Sequence, residues 1–147
     1  MTASSNGNAP QLRTGSGIEH KDIDPGRYIF REFESGDMAF IVKSGEVELF
    51  MTIDGEQVHL STVTEGQMFG EMALIDDSPR MAAAKAKGPV KLMAISKPVF
   101  DRKIEAMDPF TRNLVGVLAD YIRSTVDTFT DYMRQKSRPE PEPETED

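Results

Sequence analysis

Residues 66–84 read GQMFGEMALIDDSPRMAAA and place a short apolar segment between a Gly-Glu pair and a Pro-Arg pair. Gly70 allows the backbone to approach a ligand without interference from a Cβ atom. The residues after it can begin a helical turn whose free N–H groups favour an anion. Arg80 adds a planar cationic fork, and Glu71 adds a carboxylate acceptor for hydroxyl groups. The segment therefore suits the binding of a small phosphorylated ribose.

Upstream of this segment, the sequence has the short runs that are typical of antiparallel strands. Between Val47 and Ile53 apolar residues alternate with polar ones, as in a strand with one face in water. Asp54-Gly55 follows, a strong signal for a hairpin turn. Glycines recur about every ten residues, which predicts a barrel or roll of about eight short strands. The runs that we interpret as strands begin at Tyr28 and cover 28–30, 39–42, 47–53, 58–60, 82–86 and 90–95.

Two helices are predicted after the strands. Ser96 can cap the first, which has Pro98 near its first turn. Asp108 and Pro109 fit the cap and the first position of a longer helix with a broad apolar face. The residues that could dock this helix on the strands are Leu114, Leu118 and Ile122. The residues that indicate a second packing surface are Tyr121, Phe129 and Met133.

Composition excludes several classes of protein. The 147 residues suit one domain, and the net charge of −8, with no basic stripe, argues against nucleic acid as a partner. The chain has no cysteine, so disulfides and thiolate metal sites are excluded. Residues 1–17 are rich in Ser, Gly, Asn and Thr and contain no apolar run, unlike a signal peptide or a membrane span. We therefore expect a cytoplasmic protein without a membrane partner.

Two motifs, in this order along the chain, resemble the signature of the cyclic nucleotide-binding domain family. The first is GDMAFIV at 36–42, followed by SGEV at 44–47. The second is FGEMAL at 69–74, followed after a short loop by RMA at 80–82. Two motifs in the right order are more specific than a lone Gly-Glu pair. The resemblance implies a mainly β fold with α-helices: an antiparallel β-roll (a double-stranded β-helix, jelly-roll-like) flanked by C-terminal helices.

The resemblance also implies roles for individual residues. Arg80 would clamp the oxygens of a cyclic phosphate, and Glu71 would accept a hydrogen bond from the ribose 2′-hydroxyl. The backbone N–H groups of Gly70, Met72 and Ala73 would face the phosphate. The complete predicted ligand site consists of Gly70, Glu71, Met72, Ala73, Arg80, Met81 and Ala82. The ligand would be cAMP or cGMP, and no cofactor, metal or catalytic residue is expected.

Three residues depart from the family pattern. Met81 follows the arginine where relatives often carry Ala, Ser or Thr, and it offers no hydroxyl to the guanine amino group. This difference favours cAMP over cGMP. Ala83 stands at a frequently polar position, and Phe33 stands where many relatives carry glycine.

We expect a flexible segment at 1–17, a cyclic nucleotide-binding domain at 18–136, and a disordered acidic tail at 137–147. Because thirteen residues follow Arg134, too few for a DNA-reading domain, we expect a stand-alone, non-catalytic sensor. Ligand binding would repack the C-terminal helices and so signal to an unknown protein effector. The long helix would serve as a lid over the base or as the seam of a homodimer.

Two other hypotheses belong to different functional classes. A degenerate domain could act as a dimerisation or scaffold module without any nucleotide. A small metal-dependent enzyme of the β-roll type would need several histidines and a carboxylate around one metal. The chain has only His20, in or near the flexible lead-in, and His59, on the polar side of a strand. Asp76 and Asp77 fit a loop better than a catalytic pair.

Overall fold

The computed structural model describes residues 17–137, which form eight strands and three helices. The strands are β1 (Ile18–Ile23), β2 (Tyr28–Phe30), β3 (Met38–Ser44), β4 (Val47–Ile53), β5 (Glu56–Val63), β6 (Met68–Phe69), β7 (Ala83–Ala86) and β8 (Val90–Ser96). The helices are α1 (Met72–Ile75), α2 (Lys97–Glu105) and α3 (Pro109–Ser137). The flexible segment and the acidic tail that the sequence predicted lie outside the described residues, apart from Gly17 and Ser137.

The strands form two antiparallel sheets that enclose the core. One sheet has the order β1-β8-β3-β6 and the other has the order β2-β7-β4-β5. Apolar residues that alternate along the strands fill the space between the sheets, as a half-buried strand requires. The largest fully buried side chains are Phe69, Leu92, Val42, Val47 and Val90. The predicted fold class, an antiparallel β-roll followed by helices, is confirmed.

The predicted hairpin joins β4 and β5. Asp54 and Gly55 both have positive φ angles, 51° and 83°, and Ile53 pairs with Glu56. Positive φ at both central residues is the geometry that matches the twist of the flanking strands. Local turn chemistry therefore places this hairpin without help from the rest of the fold.

Strand β1 corrects the prediction that the first strand begins at Tyr28. Each residue from Ile18 to Ile23 pairs with a residue of β8. Four consecutive polar residues fill the middle of this strand, so its sequence carries no clear alternation. At the edge of its sheet such a strand depends on backbone pairing with its neighbour. His20 consequently lies in β1 rather than in a lead-in, and its side chain is exposed, as is that of His59 in β5.

The two predicted helix starts differ in their capping. Asp108 caps α3, because its carboxylate accepts hydrogen bonds from the backbone N–H and the hydroxyl of Thr111 at 2.8 and 2.7 Å. Ser96 holds the cap position of α2, but its hydroxyl makes no capping hydrogen bond. Helices α1 and α2 meet in a second apolar cluster that includes Leu74 and Phe100. This cluster fixes the end of α1 against the roll.

Helix α3 docks on the roll through a different face from the predicted one. Leu114, Leu118 and Ile122 remain partly exposed, whereas Ala119 is buried. Val126 lies on the same side of the helix and is half-buried, and two polar contacts add to the attachment. The residues of α3 that make those polar contacts are Arg123 and Thr130.

Candidate ligand site

The site begins where β6 gives way to α1. Gly70 has a φ of +79°, a conformation that costs a residue with a Cβ atom. A Cβ atom there would also lie 2.8 Å from Nη1 of Arg80. Glu71 follows at the N-terminus of α1, and its carbonyl accepts the first hydrogen bonds of the turn. Glycine is therefore required at position 70 for two independent reasons.

Arg80 is the centre of the site, although only 5% of the residue is exposed. Its Nη1–H donates to the carbonyl of Gly70 and its Nη2–H to the carbonyl of Met38, each at 2.7 Å. Its Cζ lies 4.0 Å from the centre of the Phe30 ring, a cation–π distance. Its Nε–H has no hydrogen-bond partner among the described residues. The guanidinium is thus held by two hydrogen bonds, and its Nε–H remains available to a ligand.

A second glycine, Gly36, packs against the guanidinium of Arg80. A Cβ atom on Gly36 would lie 2.5 Å from both Cζ and Nε of Arg80, closer than real contacts allow. Gly36 begins the upstream sequence motif and Arg80 belongs to the downstream one. Folding therefore brings the two motifs into direct contact.

The electrostatics of the site are set by burial. Burial lowers the pKa of Arg80, an effect that the nearby carboxylates of Asp37, Glu34 and Glu71 oppose. Burial raises the pKa of Glu71, against the opposing effects of a backbone hydrogen bond and of Arg80. No carboxylate oxygen within residues 17–137 lies at ion-pair distance from the Arg80 guanidinium. The site therefore holds a buried cation whose contacts are neutral carbonyl groups, which suits an anionic ligand.

A cavity of about 200 Å³ adjoins Arg80. All seven residues of the predicted site line it: Gly70, Glu71, Met72, Ala73, Arg80, Met81 and Ala82. Five further residues line it that the sequence did not assign to the site: Phe30, Leu49, Met68, Phe69 and Ile122. The structure thus brings the predicted residues together, and their role in binding stays a prediction.

The contacts that the sequence missed come from distant elements. Gly36 and Met38 lie in the upstream motif at 36–42, and membership of that motif is what connects them with the site in the sequence. Phe30 belongs to β2 and Ile122 to α3, and nothing in the local sequence connects either with Arg80. These positions become visible only when the strands have paired.

Helix α3 is fastened beside the cavity by an ion pair. The Arg123 guanidinium contacts the Asp76 carboxylate through Nε and Nη2, at 2.6 and 2.9 Å. Asp76 follows α1 directly. Burial raises the pKa of its carboxyl, but hydrogen bonds from Ser78 and the Arg123 guanidinium lower it by more, so the pKa lies below the ordinary value. Ile122, next to Arg123 in the sequence, lines the same cavity as Glu71.

Two other kinds of site lack support in the described part of the chain. Within residues 17–137, His, Asp and Glu side chains do not gather in groups that could hold a metal ion. Over the same range, none of the helices has both the length and the apolar character that crossing a membrane requires.

Comparison with known sequences connects this geometry with a family. A family model described as cyclic nucleotide-binding domain matches residues 20–107. A cAMP-dependent protein kinase regulatory subunit from Emericella nidulans is 36% identical over 87 residues, which are 59% of this chain and 21% of that protein. A cyclic AMP receptor protein from Thermus thermophilus is 32% identical over 99 residues, which are 67% of this chain and 46% of that protein. The chain thus spans less than half the length of these curated relatives.

Solved structures with bound cyclic nucleotides are also similar to this chain. The EAL enzyme Bd1971 in its cAMP-bound form is similar with a TM-score of 0.69 and 34% identity, over 76% of this chain and 30% of that one. The cGMP-bound form of the same enzyme gives a TM-score of 0.70 and 32% identity, over 80% of this chain and 32% of that one. In both cases the likeness covers most of this chain and about a third of the enzyme.

Proposed function

Because this chain belongs to the cyclic nucleotide-binding domain family, we propose that it is a non-catalytic cytoplasmic sensor that binds cAMP in preference to cGMP. The ligand lies in the cavity next to Arg80, with its cyclic phosphate at the guanidinium. Binding repacks the C-terminal helices, and the rearranged surface is read by a protein effector.

The observation that carries this proposal is the buried, carbonyl-bound guanidinium of Arg80. A buried cation without a contacting carboxylate is stabilised by any anion that replaces lost hydration. The unused Nε–H and the N–H groups at the start of α1 add donors for phosphate oxygens. The planar fork of arginine matches two oxygens of one phosphate better than a lysine ammonium does.

Glu71 supplies recognition of the sugar. Its carboxylate is partly buried and makes no capping hydrogen bond, so it is available to accept the ribose 2′-hydroxyl. A hydrogen bond to a charged group contributes roughly 1.5–3 kcal/mol. A nucleotide with a 2′-phosphate would place negative charge against this carboxylate and would be rejected.

The preference for cAMP rests on Met81, which lines the cavity. Its thioether is a poor partner for the guanine amino group, whereas a hydroxyl at this position would be a good one. The solved structures of the EAL enzyme hold either cAMP or cGMP, so the preference of this chain is decided by its own residues.

Signalling requires that the ligand favours one arrangement of the helices by a difference in free energy. Phosphate binding draws the turn at Gly70 and α1 inward, and Asp76 at the end of α1 moves with it. The ion pair to Arg123 transmits this shift to α3. The nucleotide thereby selects one position of α3 on the roll.

Isothermal titration with cAMP and cGMP tests the proposal. Replacing Arg80 by lysine keeps one positive charge but loses the planar fork, and the affinity for cAMP should fall by about 10- to 150-fold, as for the loss of one charge-assisted hydrogen bond. Arg102→Lys changes an exposed arginine of α2 and serves as the matched control. Equal heats from wild type and Arg80→Lys would refute the phosphate-clamp assignment.

A second candidate function is a dimerisation module that works without nucleotide, favoured by the apolar surface of α3. The exposed apolar residues of this helix include Phe110, Leu114, Val117, Leu118, Tyr121 and Tyr132. We propose that a second copy of the chain covers this surface. Sedimentation velocity with wild type and Leu118→Glu, each with and without cAMP, separates the hypotheses. A dimer that is lost in Leu118→Glu and is unaffected by cAMP supports the dimerisation module. A monomer in every condition refutes the dimer interface on α3.

A further inference from the structure

One side chain of the cavity next to Arg80 combines exposure to solvent with redox chemistry. Met68 in β6 lines this cavity, and 42% of the residue is exposed. The other methionines within residues 17–137 are buried or half-buried, including Met72 and Met81 in the same cavity. The chain has no cysteine, so its sulfur chemistry belongs to methionine. A dissolved oxidant therefore meets Met68 before the other sulfur atoms of the described residues.

The fold keeps Met68 beside the groups that would bind the ligand. Strand β6 has two residues, and both pair with β3: Phe69 with Phe40 and Met68 with Ile41. Phe69 is buried in the core, which anchors the strand. Gly70 and Glu71 follow directly in the chain. A chemical change at Met68 is thus made within a few residues of the proposed phosphate and ribose contacts.

The cavity has a hydrogen-bond donor that the protein leaves without an acceptor. The Nε–H of Arg80 has no partner among the described residues, although the residue is buried. A methionine thioether is a weak acceptor and competes poorly for such a donor. A methionine sulfoxide is polar, and its oxygen is an acceptor. Oxidation of Met68 would therefore bring a new acceptor into a cavity that contains a buried cation.

We infer that Met68 is a reversible oxidation site that controls binding of the nucleotide. The inference rests on the proposed function, which assigns the ligand phosphate to the donor of Arg80. A hydroperoxide transfers one oxygen atom to the sulfur: the O–O bond breaks, an S–O bond forms, the sulfur loses two electrons, and the second peroxide oxygen leaves as water or an alcohol. A reductase reverses the step with two thiols, which become a disulfide while the oxygen leaves as water. The sulfoxide competes with the phosphate, so the oxidised protein binds cAMP more weakly.

Peptide mapping by mass spectrometry after brief treatment with hydrogen peroxide tests the site of oxidation. Met107, a half-buried methionine between α2 and α3, serves as the internal reference. Met68 should gain one oxygen atom faster than Met107, because oxidation follows exposure. Oxidation of Met68 that is no faster than that of Met107 would overturn the inference.

Calorimetric titration with cAMP before and after this treatment tests the consequence for binding. The affinity of wild type should fall by about 5- to 10-fold, the factor for one competing hydrogen bond. Met68→Leu keeps a similar apolar volume without sulfur, so treatment should leave its affinity where it was before treatment. Met107→Leu is the matched control and should lose affinity as wild type does. Methionine sulfoxide reductase with dithiothreitol should restore the affinity of oxidised wild type.

The outcomes distinguish this inference from the proposed function. If untreated wild type binds cAMP and treatment weakens binding equally in wild type and Met68→Leu, the proposed function stands and the role of Met68 is wrong. The same conclusion follows if oxidised wild type binds cAMP as tightly as the untreated protein. If untreated wild type does not bind cAMP, the proposed function fails, and control of binding by Met68 fails with it.

Discussion

Gly36→Ala is the sharpest test of how the guanidinium of Arg80 is held. Gly36 has an ordinary negative-φ or extended backbone, so alanine fits its conformation, and only the new methyl group matters. That methyl carbon would lie 2.5 Å from Cζ and Nε of Arg80. Ordinary contacts between carbon atoms are about 3.5–4.0 Å, so the guanidinium must move by about 1 Å.

Such a shift has a measurable cost. The two hydrogen bonds of Arg80 to the carbonyls of Gly70 and Met38 are both 2.7 Å long, and the guanidinium cannot keep both after moving. Losing one charge-assisted hydrogen bond costs about 1.5–3 kcal/mol. Against this loss, alanine lowers the conformational entropy of the unfolded chain, which adds about 0.4–1 kcal/mol to the free energy of unfolding. We expect a net loss of about 1–2 kcal/mol in unfolding free energy, and at least a tenfold loss of affinity for cAMP, about 1.4 kcal/mol.

Urea denaturation and isothermal titration measure the two effects. Gly88→Ala is the matched control, because a Cβ atom there meets nothing within 4 Å, and this variant should be as stable as wild type or slightly more stable. The effect of Gly36→Ala on stability should largely vanish in an Arg80→Leu background, whose side chain ends before Cζ and Nε. If Gly36→Ala weakens neither stability nor binding, the guanidinium is not confined as the structure indicates.

Three further predictions concern the edges of the site. Burial raises the pKa of Glu71 above 4.5, so its contribution to stability is present below that pH and is lost as pH rises through the raised pKa. Denaturation across this pH range should show Glu71→Gln gaining stability relative to wild type as pH increases, and parallel profiles would contradict it. Arg123→Gln removes the ion pair to Asp76, and hydrogen exchange in α3 should become about 2- to 5-fold faster, as for a partly exposed pair; unchanged exchange would show that the ion pair does not hold the helix. Met81→Ser adds a hydroxyl and should raise the affinity for cGMP relative to cAMP by about 3- to 10-fold in calorimetric titration. An unchanged ratio of the two affinities would show that Met81 does not determine the preference between the nucleotides.

Features with local causes could be predicted from the sequence. Asp54-Gly55 forms the expected hairpin because its positive φ angles are a property of those two residues. Asp108 begins α3 because its side chain reaches N–H and hydroxyl groups only three residues away. Gly70 and Arg80 meet in one cavity because the motif that contains them is short.

Features that depend on distant pairing were missed or misplaced. Strand β1 has a polar middle and exists because β8, more than sixty residues later, provides its backbone partners. The prediction that α3 docks through Leu114, Leu118 and Ile122 was wrong. Arg123 pairs instead with Asp76 in the loop after α1, and an apolar pattern does not reveal such a contact. Gly36 belongs to the upstream motif, but its contact with the guanidinium of Arg80 arises only when the folded chain brings the two motifs together.

Because α3 is long, a small rotation of the helix near the site would displace its far end by several ångströms. The helix has 29 residues and is therefore about 43 Å long. About 21 Å of it extends beyond Arg123, and within that stretch the Thr130 hydroxyl contacts the Met51 sulfur. A pivot of about 10° at Arg123 would displace Thr130 by about 2 Å and the far end of the helix by about 4 Å, by the geometry of a rigid rod. Under the proposed function, α3 would act as a lever arm whose displacement is largest at the end farthest from the bound nucleotide.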